Sequence, residues 1–267
     1  MTIVRHGGES VGMGTGVEHW RLTVLPDAAA ASEAAAELVA ATIQAKPNAA
    51  ISIPTGSTPL GMFDVLAARV ARGEIDFSGI DIFCLDEYVG VTVDDPNSLT
   101  RWLWTALLDR IGVNPDRVHA LPSTANNLVA AAAEFDDAVA ARGGLDLAVL
   151  GLGPNGHIGY NEPGSSADSR TRVITLTPES LSQAYAYWDG AVPIPSQAMT
   201  IGVGTLLEAK RIVLLVTGEA KAKMLRRTLD EPMGADIPAS WLRLAGPRLE
   251  IIADEAAASE LSTKRSG

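Results

Sequence analysis

A doubly wound α/β fold is what this sequence predicts: a mostly parallel sheet with helices on both faces, a Rossmann-like three-layer sandwich. Two observations carry the prediction. From Trp20 onward, short β-branched apolar runs alternate with longer stretches at helical spacing, and crossovers of that length join parallel strands. No Pro-, Gly- or Ser-rich linker and no repeat interrupts residues 20–267. One domain is therefore expected over 20–267, behind a Gly-rich leader at 1–19 that shows no periodicity and is read as flexible.

The elements follow in order. Arg21 to Leu25 reads as a strand. Ala28 to Ala45 reads as a helix, with Leu38, Val39 and Ile43 at helical spacing. Ala50 to Ile53 is an apolar strand stopped by Pro54, and Leu60 to Ala71 a helix. Ile80 to Leu85 reads as a buried strand, Leu99 to Ile111 and Val129 to Ala141 as helices, and Leu145 to Leu150 as a strand. Met199 to Val203 and Arg211 to Val216 read as strands around a helical Gly204 to Ala209. A helix at Ala220 to Leu229 and a strand at Leu249 to Ala253 close the pattern.

Composition removes several functions. The chain has 267 residues, with 21 Lys plus Arg against 32 Asp plus Glu, for a net charge of −11. Binding nucleic acid needs a basic face, so no nucleic-acid partner is expected. No apolar run approaches a membrane span, and residues 1–18 lack the apolar core of a signal peptide. The single cysteine, Cys84, cannot form an internal disulfide, which favours a reducing, cytoplasmic location. No metal site is expected, because one Cys and scattered His residues lack ligand spacing.

In doubly wound sheets ligands bind beyond the carboxyl ends of strands, and three such ends stand out. After Ile53 comes Pro54-Thr55-Gly56-Ser57-Thr58-Pro59, leading into a helix. Free N–H groups, hydroxyls and a glycine there suit a phosphate, though Ser and Thr are also ordinary helix caps. After Leu85 come Asp86 and Glu87. Neighbours on a strand face opposite ways, so either Asp86 is a general base and Glu87 structural, or both merely decorate a helix start. After Leu150 comes a glycine-rich stretch with His157, flanked by Asn155 and Glu162. Either flanking residue could orient the imidazole, as a base needs, or the segment is a surface loop with one satisfied histidine. His6, His19 and His119 lack such surroundings. Cys84 reads as core.

Taken together, Pro54-Thr-Gly-Ser-Thr-Pro59, Leu85-Asp-Glu-Tyr-Val-Gly90 and Gly156-His-Ile-Gly-Tyr-Asn-Glu-Pro163 occur in this order. Ser169-Arg-Thr-Arg172, Gly202-Val-Gly-Thr-Leu206 and Asp236-Ile-Pro-Ala-Ser240 follow. The set resembles the glucosamine-6-phosphate deaminases of the glucosamine/galactosamine-6-phosphate isomerase superfamily. The resemblance implies a hydrolase-type deaminase/isomerase that turns an aminosugar 6-phosphate into a ketose phosphate and ammonia, on a gluco or galacto skeleton. It implies Asp86 as general base, His157 as ring-opening residue, and Asn155 and Glu162 as the residues that orient it. Thr55, Gly56, Ser57, Thr58 and Lys221 are implied as phosphate ligands. The resemblance implies that no cofactor is needed; the partner is a small sugar phosphate, and a homo-oligomer is in keeping with the family.

The sequence departs from the family pattern in places. Asn155 stands where familiar members carry Asp. A lid arginine is absent, since Val173 to Met199 contains no Lys or Arg. The matching position falls near Ala186, and Arg170 or Arg172 are the candidate substitutes. The aromatic group Tyr185, Tyr187 and Trp188 either stacks on a sugar or packs the lid. Ile174 replaces a residue of the regulated members' allosteric site. A related lactonase differs after the histidine, where this chain has Asn161-Glu162-Pro163. A non-catalytic sugar-phosphate sensor would need a DNA-binding module, and no basic helix-turn-helix is visible.

Overall fold

Ile51 and Ile53, Ile82 and Cys84, and Leu147 and Val149 alternate with other buried residues on the same strands. Strands apolar on both faces belong in the middle of a sheet covered on both sides. The computed structural model, which describes residues 3–6, 20–185, 188 and 193–261, shows this arrangement. In chain order the elements are β1 (Ile3–His6), β2 (Arg21–Leu25), α1 (Ala28–Ala45), β3 (Ala50–Ile53), α2 (Leu60–Ala71), β4 (Asp81–Cys84) and β5 (Asp86–Tyr88). There follow α3 (Leu99–Leu103), α4 (Asp109–Ile111), β6 (Val118–His119), α5 (Leu128–Ala141), β7 (Leu147–Gly151), β8 (Arg172–Thr175) and α6 (Pro178–Ala184). The last are β9 (Gln197–Thr200), α7 (Val203–Leu207), β10 (Ile212–Val216), α8 (Ala222–Asp230) and β11 (Leu249–Asp254).

The main sheet has the order β1-β2-β11-β10-β7-β3-β4-β6. Every neighbouring pair is parallel except β1 with β2. The leader was expected to lack structure, but Ile3–His6 pairs antiparallel with Arg21–Leu25. Backbone pairing along a sheet edge needs no hydrophobic periodicity, so the sequence carries no pattern that announces it. One core packs α1, α2, α3 and α4 on Ile51, Ile82, Cys84 and Val149. The other packs α5, α7 and α8 on Phe83, Leu85, Ala148 and Leu150. Adjacent residues of β4 thus feed opposite cores, as the period of two requires. Cys84 is buried in the first of them, and burial pushes its thiol up to about 12. It is an inert core residue.

The helix expected at Leu99 to Ile111 exists but is not uniform: a π-helical turn, Trp104–Leu108, separates α3 from α4. The strand expected at Met199 to Val203 ends at Thr200, and its last residue opens α7. Gly202 and Gly204 explain that motif. A Cβ on Gly202 would lie 2.1 Å from the Ser169 carbonyl oxygen, so only glycine lets the α7 start dock on residues 168–170.

A second sheet was not foreseen. It has three strands in the order β5-β9-β8, all antiparallel. Tyr88, Leu176, Ala184 and Ala198 form a small core beneath it. Its strands are short and their partners distant in sequence, so periodicity does not reveal them. No described helix is long and apolar enough to cross a membrane.

Candidate active site

The chain leaves β3 toward β4 on one side and β7 toward β10 on the other, so the winding reverses between β3 and β7. A crevice opens at such a switch point. It is lined by the residues after β3 (Thr55–Thr58), after β4 (Leu85, Asp86), after β7 (Gly153, His157) and after β10 (Lys221). The sequence-predicted segments therefore meet in one cleft.

Asp86 and Glu87 part company there. β5 pairs Asp86 with Thr200 and Glu87 with Met199, and the pleat sends the two carboxylates opposite ways. Glu87 turns away from the cleft to the start of α3. It accepts the N–H groups of Leu99 (3.1 Å) and Thr100 (3.0 Å) and the Ser98 hydroxyl (2.6 Å). It is a helix cap, where the macrodipole favours an anion. Asp86 lines the cleft and is 6% exposed, and its Oδ1 has no hydrogen-bond partner. Burial, and then the charge of Glu87, push its carboxyl up to about 7, against a hydrogen bond from Thr55. A carboxylate poised near neutrality beside an open cleft is suited to abstract a proton.

His157 follows a turn that only glycine permits. A Cβ on Gly153 would sit 2.3 Å from the imidazole Nε2 and Cδ2, so the ring rests directly on the glycine backbone. Gly153→Ala is expected to displace the imidazole and lower kcat by roughly 10²-fold, the scale of a misplaced acid–base group. Circular dichroism would show the fold retained. The imidazole Nδ1 lies 3.2 Å from Ser180 Oγ and 3.6 Å from Glu162 Oε2.

Asn155 does not touch the ring, contrary to one of the two expectations. Its Oδ1 accepts the His157 backbone N–H (3.1 Å) and its Nδ2 donates to Glu162 (2.8 Å). The turn is so tight that the nearest acceptor for that N–H is two residues back. Glu162 is 2% exposed and also accepts the N–H and hydroxyl of Thr177, each at 3.2 Å. Burial alone would raise its carboxyl. The His157 imidazole and hydrogen bonds from Ser180 and Asn155 outweigh that and bring it down to about 2. It is an anion at any working pH.

The loop after β3 is not an ordinary capped turn. Pro59, at the N-cap of α2, makes no side-chain cap bond. The N–H groups of Gly56, Ser57 and Thr58 have no hydrogen-bond partner among the described residues. Gly56 takes a φ of 95°. Unsatisfied N–H groups at a helix start suit an anion. Lys221 reaches the same cleft, and burial lowers its ammonium below the ordinary range.

Arg170 and Arg172 are not brought to the cleft. Arg170 pairs with Glu208 (2.7 Å) and Asp136 (3.7 Å). Arg172 donates to Asn161 Oδ1 (2.9 Å) and Ser165 Oγ (2.7 Å). Arg172 opens β8, which lies beyond β9 from β5, so both arginines sit on the far side of the small sheet. Ala186 and Tyr187 fall outside the described residues. Trp188 lines the cleft and packs edge-on against Tyr88, ring centres 5.2 Å apart, while Tyr185 is exposed.

Sequence reasoning passed over Ser180, Thr177, Tyr88 and Tyr160. Tyr88 shares the face of Asp86 two residues on, so strand periodicity held that signal. Its hydroxyl lies 2.7 Å from that of Tyr160. Thr177-Pro178-Glu179 is a helix-start signature that announces α6, but nothing in it says that Ser180 meets His157.

Comparison with known proteins gives the same picture. The family described as glucosamine-6-phosphate isomerases/6-phosphogluconolactonase matches residues 26–250. A glucosamine-6-phosphate deaminase of Streptomyces avermitilis is 42% identical over 90% of this chain and 92% of its own length. One from Rhodopirellula baltica is 37% identical over 93% and 99%. The solved structure of a monomeric glucosamine-6-phosphate deaminase superposes with a TM-score of 0.85 at 34% identity, over 89% of this chain and 98% of that one. A 6-phosphogluconolactonase from Trypanosoma brucei, at 21% identity and TM-score 0.67 over 90% and 98%, shares the fold.

Proposed function

The chain belongs to the glucosamine-6-phosphate isomerase/6-phosphogluconolactonase family, and from that premise we propose that it converts glucosamine 6-phosphate to fructose 6-phosphate and ammonia. The observation that carries the reading is Asp86: a buried carboxyl raised to about 7, facing the cleft that His157 also lines.

The phosphate rests on the N–H groups of residues 56–58, the nearby hydroxyls and Lys221, which leaves the reacting end of the sugar toward Asp86 and His157. His157 takes the proton of the C1 hydroxyl and returns it to the ring oxygen as the C1–O5 bond breaks. Asp86 then removes the C2 proton of the open aldehyde and delivers it to C1, while one proton passes from nitrogen to O1. The resulting C2 imine adds water and loses ammonia. Water is consumed and a C–N bond is broken, so the overall change is a hydrolysis coupled to isomerisation. A cytoplasmic location and a homo-oligomer accompany the reading as further proposals, although the solved deaminase relative is itself monomeric.

The test is ammonia and ketose-phosphate release from hexosamine 6-phosphates and their unphosphorylated forms. Turnover of glucosamine 6-phosphate supports the assignment. Hydrolysis of a sugar-phosphate lactone without ammonia release would replace it with the lactonase reading. Lys221→Ala is expected to raise KM for the phosphorylated substrate roughly 10- to 100-fold, the scale of one charge-assisted hydrogen bond, and to change kcat far less. Steady-state kinetics check it.

A further inference from the structure

The imidazole of His157 is held from an unexpected side. Its Nδ1 is closer to Ser180 Oγ (3.2 Å) than to Glu162 Oε2 (3.6 Å). The longer distance is outside hydrogen-bond range. That oxygen already accepts from Asn155 Nδ2 at 2.8 Å. Ser180 is 1% exposed, so its hydroxyl cannot turn to water, and together with His157 and Asn155 it holds the Glu162 carboxyl low.

Proton counting orients the chain. A serine hydroxyl carries one hydrogen, and a carboxylate only accepts. Thr177 Oγ1 is nearer to Glu162 (3.2 Å) than to Ser180 (3.4 Å), so its hydrogen goes to the carboxylate. If Ser180 donates to Glu162, Ser180 Oγ is left as an acceptor, and the group facing it is His157 Nδ1. We propose that Ser180 is a positioning residue, accepting the Nδ1–H of His157 and donating to Glu162, which holds the imidazole in the tautomer with Nε2 unprotonated and available to substrate.

Two consequences follow. The negative charge of Glu162 acts on the imidazole through the Ser180 hydroxyl as well as across the 3.6 Å separation. Ser180 lies in the first turns of α6, whose N-cap Thr177 is bound to the same carboxylate. Docking of α6 and orientation of His157 are thus set by one group. The proposal rests on the deaminase reading for its kinetic consequence but not for its structural one.

The experiment is nitrogen-15 NMR of the full-length chain labelled at histidine, with the His157 signals assigned by their loss in His157→Gln. In the wild type, neutral His157 is expected to carry its proton on Nδ1. Ser180→Ala should convert this to a tautomer mixture, and Ser180→Thr should restore it. Ser180→Cys, which keeps the side-chain volume but weakens both bonds, should behave like the alanine variant. The signals of the other histidines report whether each variant is folded. With glucosamine 6-phosphate, kcat should fall roughly 10- to 100-fold in the alanine variant with KM little changed, and recover in the threonine variant. An Nε2–H tautomer in the wild type, or an unchanged Nδ1–H tautomer in both the alanine and cysteine variants, overturns the relay. The tautomer needs no turnover to be seen. A wild type with the relayed tautomer but no ammonia release would therefore sink the reaction and leave the relay standing.

Discussion

Asp86→Asn is expected to lose roughly 10²–10⁴-fold in kcat, the contribution of a positioned general base, while the protein becomes more stable at alkaline pH. The two effects have one cause. The folded carboxyl titrates near 7 because it is buried and beside Glu87, against an unfolded value near 3.8. The folded state therefore binds the proton more tightly. Stability falls as pH rises from about 4 to about 7 and is level above, by about 4 kcal/mol for a shift of that size. An amide cannot ionise, so the variant should lose this slope. Calorimetric melting at pH 5 and pH 8 checks it, since the wild-type melting temperature drops between them more than the variant's. In the wild type, kcat/KM should rise with pH through about 7 as the base loses its proton. Full activity in the variant would remove Asp86 from the mechanism.

Glu162→Gln should cost roughly 10- to 100-fold in kcat and about 1–3 kcal/mol in stability. Both carboxylate oxygens accept only: Oε1 from the Thr177 N–H, Oε2 from Asn155 Nδ2 and the Thr177 hydroxyl. Whichever way the glutamine amide is turned, its NH2 faces a donor. The pH signature is opposite to that of Asp86. The folded Glu162 carboxyl lies near 2, below its ordinary 4.5. Its stabilisation is complete above about 4.5 and is lost as pH falls toward 2. The variant should therefore show a shallower loss of stability on acidification, measured by acid unfolding followed by circular dichroism. A wild-type-like kcat would show that His157 needs neither the charge nor the network.

The main sheet and its helices were legible because each central strand meets two cores. Residues such as Ile82 and Phe83 must both be apolar, and that leaves a run that can be read. The site loops were legible for a related reason. Gly56, Gly153 and the residues around His157 occur at the carboxyl ends of such runs, where the sheet order reverses. The small sheet was not legible, since β5 is three residues long and pairs with β9 more than a hundred residues away. The separate fates of Asp86 and Glu87 rest on that pairing, as does the displacement of Arg170 and Arg172 from the cleft.

The sequence by itself determined the layers, the strand ends that meet and the chemical character of the groups placed there. It also determined the shortage of cations, since no residue between 173 and 199 is Lys or Arg. Tertiary structure alone decided which carboxylate faces the cleft, that Asn155 serves Glu162 rather than the imidazole, and that Ser180 on α6 meets the imidazole Nδ1. The reason is physical. Local periodicity records which face of an element is apolar, whereas a hydrogen bond between residues 157 and 180 exists only after two loops and a helix have been packed together, and no local pattern records that.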